Sequence, residues 1–178
     1  MKFLISAILG VGVCVALFAM SSLPVHAEDG SLSDAQRQRI QSNCTQIKST
    51  AERLHASDAL LRVNRGQAYE GVSSRLMAPF NMRLSLSGLD NKAMTTRSGQ
   101  YQDALDAFRA DYSEYEKKLS AALKIDCKKS PDDFYSAILE ARSLRKNLHE
   151  DTQKIHRAMD DYKTSVGDFL LNFKRLGQ

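Results

Sequence analysis

The chain has no tryptophan, and only three prolines and nine glycines stand among its 178 residues. So few turn formers leave little room for the many short strands and hairpins of a sandwich or barrel. Abundant Ala, Leu, Lys, Arg, Asp, Glu and Gln instead favour an all-α chain. Charge of one sign is also lacking. The formal net charge is +4 with basic residues interleaved among acids, which gives no electrostatic footprint for nucleic acid. At 43% hydrophobic and 26% charged, the chain reads as one folded domain rather than a disordered segment. Glycine-rich phosphate loops, nucleophile elbows, H-E-x-x-H and C-x-x-C are all missing. The carboxylates lie on helical faces, and no pair stands out as acid and base. These absences argue against an enzyme and against a bound cofactor.

What is present begins with an address. Lys2 supplies a positive start, and Phe3 to Met20 carries no charge. Ser21, Ser22 and Pro24 break the apolar stretch, and Val25-His26-Ala27 puts small residues where signal peptidase reads. The pattern predicts a secretory signal peptide over residues 1–27, cleaved after Ala27. The rival is an uncleaved membrane anchor, because the apolar stretch is 18 residues long, the low end for spanning. The polar break and the Ala27 site favour cleavage. Cys14 follows Val13 rather than a small residue, so lipidation there is not expected. Removal of the leader leaves Cys44 and Cys127, an even count that reads as one disulfide in an exported chain.

The mature segment, 28–178, carries three apolar seams stepping alternately by four and three, the mark of long helices in a coiled-coil-like bundle. The first runs through Ile40, Cys44, Ile47, Ala51, Leu54, Asp58, Leu61, Arg65, Ala68 and Val72, after a capping box at Ser33 and Gln36. Its step then changes to fours at Leu76, Phe80 and Leu84, a stutter where Pro79 should kink the helix. Gly88 is the expected helix stop. The second seam is Tyr101, Leu105, Phe108, Tyr112, Tyr115, Leu119 and Ala122. Ser130 as cap, Pro131 at the first position and the acids Asp132 and Asp133 start the third helix. Its seam runs from Phe134 through Ile138, Ala141, Arg145, Leu148, Thr152, Ile155, Met159, Tyr162, Val166, Phe169 and Phe173 to Leu176. The expected fold is an elongated antiparallel three-helix bundle, up-down-up, with helices at about 33–86, 94–125 and 131–176. The two cysteines are symmetric about the Ser85–Asn91 turn, which brings both to one end.

If Pro131 stands level with Cys44, positions of the first and third helices differ by 87. Asp58 then faces Arg145, and Arg65 faces Thr152, so two polar layers are expected, with Asp106 placed to take the Arg65 charge. Such layers fix register at a cost in stability, and a ligand site between helices is the sharper alternative. His149 and His156 lie about 10.5 Å apart along a helix, too far to share one zinc ion, so solvated histidines are the default. The stretch Arg75, Met77, Phe80, Met82, Arg83, Leu86 and Met94 forms an apolar, Arg-dotted tip. It could hold a partner, although packing against the end of the third helix is the commoner fate of helical apolar residues.

The run Leu32-Ser33-Asp34-Ala35-Gln36-Arg37 resembles the L-T-x-x-Q motif of the Spy-type periplasmic chaperones, with Ser33 in place of Thr and one copy rather than two. That family is exported and all-helical. More broadly, Arg53-Leu54-His55 through Asp58, then Arg62-Val63-Asn64-Arg65-Gly66-Gln67 and Leu76-Met77, resemble uncharacterised secreted helical proteins of candidate-phylum bacteria. With Cys44 and Cys127 that resemblance covers most of the mature chain. It implies address and fold class and brings no activity. The expected function is an exported, non-enzymatic helical module that binds a protein or envelope component. A holdase chaperone and a signal-anchored coiled-coil protein are the alternatives. Membrane contact is expected only where the leader is retained.

Overall fold

The computed structural model describes residues 32–176. The expected leader and its cleavage point after Ala27 lie outside the described residues. The described chain is all-α, with no strand among the described residues. The elements are α1 (Asp34–Ser42), α2 (Cys44–Gly71), a π-helical turn (Val72–Met77), α3 (Ala78–Leu86), α4 (Lys92–Lys124) and α5 (Pro131–Leu176).

Local chemistry sets these boundaries. Ser33 caps α1, accepting from the Gln36 amide at 3.3 Å, while the Gln36 side chain accepts from the Ser33 amide at 2.8 Å. α3 closes in a Schellman motif. The Leu89 amide donates to the Leu84 carbonyl at 3.0 Å, and the Gly88 amide donates to the Ser85 carbonyl at 3.1 Å. Gly88 sits at φ 65°, the left-handed region that favours glycine. α5 begins at Pro131 with Asp132 and Asp133 in its first turn.

The expected continuous first helix is corrected in two places. At Asn43 the backbone leaves helical geometry, with φ −103° and ψ 10°. The Arg39 carbonyl there accepts from the Asn43 amide, the Asn43 side chain and the Ser42 hydroxyl, so side chains compete for the helical acceptor. Further on, the stutter becomes the π-helical turn. The Ala78 amide reaches back five residues to the Ser73 carbonyl. This wider turn places Pro79 at the start of α3, where a missing amide donor costs little.

Packing is strongest between α4 and α5. All seven residues of the second seam are buried. Tyr101, Leu105 and Phe108 pack with Ile155 and Tyr162, whereas Tyr112, Tyr115 and Leu119 pack with Ala141. Successive positions on α4 thus meet successively earlier positions on α5, and the two helices run antiparallel. At one end Cys44, Cys127 and Phe134 form a small core, with the cysteine sulfurs bonded and the Cα atoms 5.6 Å apart. Arg37 joins the same end to the start of α5, its Nε 2.9 Å from Asp132.

α2 departs from expectation. Its seam was expected to be buried, yet Leu54 is 40% and Leu61 45% exposed. Ala68 is exposed while its neighbour Tyr69 is buried. Among the described residues, no Cα of α2 lies within 8 Å of a Cα of α5. The buried residues of α2 are Cys44 and Tyr69, near its two ends, and between them it is held by the side chain of Asp58 rather than by close helix packing. The charged seam residue Arg65 stays exposed, and desolvating it in a closed interface without a carboxylate partner would cost several kcal/mol.

Candidate functional site

The gap between α2, α4 and α5 brings the expected polar layers and a cavity together. Asp58 lies at its floor with its side chain 10% exposed. The Arg145 Nε donates to Asp58 Oδ2 at 2.7 Å and its Nη2 to Oδ1 at 3.0 Å, a bidentate pairing. The Tyr115 hydroxyl donates to Oδ2 at 2.6 Å. Burial alone would push the Asp58 carboxyl up, but the hydrogen bonds from Arg145 and Tyr115, with the charges of Arg145 and His55, hold it below the ordinary range. Burial and the same carboxylate push the Tyr115 hydroxyl far up, so it stays a donor. Arg145 departs from the expected shielding. Its side chain is 47% exposed, because its long stem lets the guanidinium reach the rim.

The second expected layer is corrected. The Thr152 hydroxyl donates to the Leu148 carbonyl at 2.9 Å within its own helix, and Arg65 is exposed. Asp106 does not take the Arg65 charge. It accepts from Arg109 at 2.7 Å and from Gln102, and Arg109 also pairs with Glu70. Arg65 and Thr152 nevertheless line one cleft of about 180 Å³ with Asp58, Leu61, Arg62, Phe108, Tyr112, Arg145, Leu148 and His149. Arg62 lies over the Tyr112 ring, 4.9 Å from its centroid.

The 87-residue register recurs along the molecule. Gln41 donates to the Lys128 carbonyl at 3.1 Å, and the Tyr69 hydroxyl meets His156 Nε2 at 3.0 Å, both pairs 87 apart. The Tyr101 hydroxyl donates to the Tyr69 carbonyl at 2.9 Å, and burial first, then Tyr69 and Glu70, pushes it up to about 12. The Tyr69–His156 contact was absent from the sequence reading. So was Asp151, which is buried, pairs with Lys154 at 2.8 Å through Oδ1 and leaves Oδ2 without a partner. Burial, and then the adjacent Asp151 carboxylate, push the Asp111 carboxyl up.

The histidines are dispersed. His55 meets Glu116 at 3.3 Å, His149 contacts Gln153, and His156 serves Tyr69. Among the described residues, no three His, Cys, Asp or Glu side chains are grouped as metal ligands.

The tip divides. Met77 and Met94 are in the core, which corrects their place on a partner-binding surface. Phe80 is half-buried, edge-on to Phe169 with centroids 6.5 Å apart. Arg75, Met82, Arg83 and Leu86 are exposed, Leu86 at 81%.

No family model, curated protein or solved structure matches this chain. No described helix is long and apolar enough to cross a membrane.

Proposed function

We propose that the chain is an exported, non-enzymatic interaction module, a three-helix bundle of coiled-coil type in which α1 to α3 act as one interrupted first helix. Its partner is a protein or envelope component. The observation that carries this reading is the tip remote from the disulfide. There Leu76, Met82, Leu86, Leu170, Leu171 and Phe173 are exposed. Arg75, Arg83 and Phe80 border a hollow beside them, so the surface mixes apolar contact with cationic anchors. The leader-like N-terminus and the cysteine pair support export. The test is a photo-crosslinker at position 82 or 86 in native cells, with position 117 on another face as control. A discrete adduct from the tip alone is expected. Equal labelling from both faces, or none, removes the reading.

A second reading, a holdase chaperone, is favoured by the exposed Leu54, Leu60, Leu61 and Val63 of α2. The Leu32–Gln36 run that prompted it already has a local role, because Leu32 is buried and Ser33 and Gln36 close the capping box. Suppression of client aggregation below equimolar protein without ATP is expected of a holdase, and its absence at equimolar protein disposes of it. N-terminal sequencing separates a free module beginning at Glu28 from one held by its leader.

A further inference from the structure

We propose that the cleft between α2, α4 and α5 binds a small organic oxyanion with an aromatic body. Arg62 and Arg65 are three residues apart on one helix, so their stems rise from the same side and the like charges repel. Asp58, four residues before Arg62, is the natural neutraliser, but Arg145 and Tyr115 already occupy both its oxygens. Among the described residues neither Arg62 nor Arg65 pairs with a carboxylate. The Asp58–Arg145 pair is neutral overall, which leaves the cleft with two uncompensated guanidiniums.

The walls supply the second half. Leu61, Phe108, Tyr112 and Leu148 face the same space, and Leu61 is nearly half exposed there at a seam position. A helix that served only to cover α4 and α5 would carry an apolar residue at Arg65 and close the gap. Departures of this kind from a consistent pattern collect at functional sites. Guanidinium forks match carboxylate and phosphate geometry, which fixes the head group as an oxyanion. The cleft, about 180 Å³, lies below the roughly 300–1,000 Å³ of pockets for drug-sized ligands, which limits the body to about one ring.

The test uses the mature protein and calorimetric titration with three probes. Phenyl phosphate carries both halves, inorganic phosphate the head alone and benzyl alcohol the body alone. Phenyl phosphate is expected to bind at least tenfold more tightly than either fragment. Arg62→Gln and Arg65→Gln should each weaken it at least fivefold with the helical circular dichroism of the native protein retained, because both side chains are exposed. Lys117→Gln, away from the cleft, should leave it unaltered. Phenyl phosphate binding no tighter than inorganic phosphate, or insensitive to both arginine substitutions, overturns the proposal. Neither result bears on the crosslinking test of the tip.

Discussion

Removing Arg145 should destabilise the protein more than removing Asp58, although the two residues form one pair. Arg145→Ala strands a carboxylate whose side chain is 10% exposed and leaves it only the Tyr115 hydroxyl. A fully buried orphaned charge costs about 3–5 kcal/mol, and the residual donor and partial solvent access reduce this to about 2–3 kcal/mol. Asp58→Ala strands a guanidinium that is already 47% exposed and can turn into water. What remains is the unpaired, buried Tyr115 hydroxyl and the lost screened attraction, about 1–2 kcal/mol together. The coupling energy should be about 1–2 kcal/mol, well above the 0.3–0.5 kcal/mol scatter of independent sites. Replacing both residues with leucine should recover most of the loss. Urea melts of native protein, both alanine variants and the double variant measure all four corners of the cycle. Single losses that simply add, or a larger loss for Asp58→Ala, would refute the reasoning. Acidity gives an independent readout. The Asp58 carboxyl is held below its ordinary range, so its contribution is present above about pH 4 and is lost as pH falls through the lowered value. Arg145→Ala should flatten that acid limb.

Reducing Cys44–Cys127, 83 residues apart, should cost about 4–5 kcal/mol on the chain-entropy model and lower Tm on the order of 10–15 °C, as melts with and without thiol will measure. Gly88→Ala meets open space but forces φ 65° on an L side chain, so chemical denaturation should report a loss of about 1 kcal/mol. Asp111 has the opposite pH sign to Asp58. Its carboxyl is pushed up, so the stability its proton supplies is complete below about pH 4 and fades as pH rises through the raised value. Asp111→Asn, which mimics the protonated form, should therefore stabilise at neutral pH, and the advantage should vanish in acid when melts are compared across pH.

Boundaries were the most legible part of the sequence, because caps act locally. Ser33 with Gln36, Gly88 and Pro131 each mark an end that backbone chemistry enforces wherever the helix packs. The Asp58–Arg145 alignment was legible because two polar breaks of equal spacing recur at one offset. Side-chain choice within the seams was less so. From Leu148 to Ile155 the series can step through Thr152 or Asp151, and from Arg65 to Val72 through Ala68 or Tyr69. The structure buries Asp151 and Tyr69. Pattern reading chose the smaller or less charged residue, whereas hydrogen bonding decided the matter, through Lys154 for Asp151 and His156 for Tyr69. The standing-off of α2 was legible only as the charged break at Arg65, not as a distance. An apolar periodicity says which face a helix prefers, not how near its neighbour comes.

The Cys44–Cys127 bond also fixes what a protease can detach. It closes a ring containing α2, the π-helical turn, α3 and α4, and leaves α5 as an arm outside. One cut at the exposed Ser87 or Gly88 opens the ring without releasing anything. The two pieces migrate as one molecule until thiol is added. A cut after the exposed Lys128 or Lys129, one or two residues beyond the ring, severs α5 from all covalent attachment. Non-covalent contacts alone then retain it, those with α4 foremost. Proteolysis thus leaves the chain covalently joined or splits off α5 according to which side of Cys127 is cut.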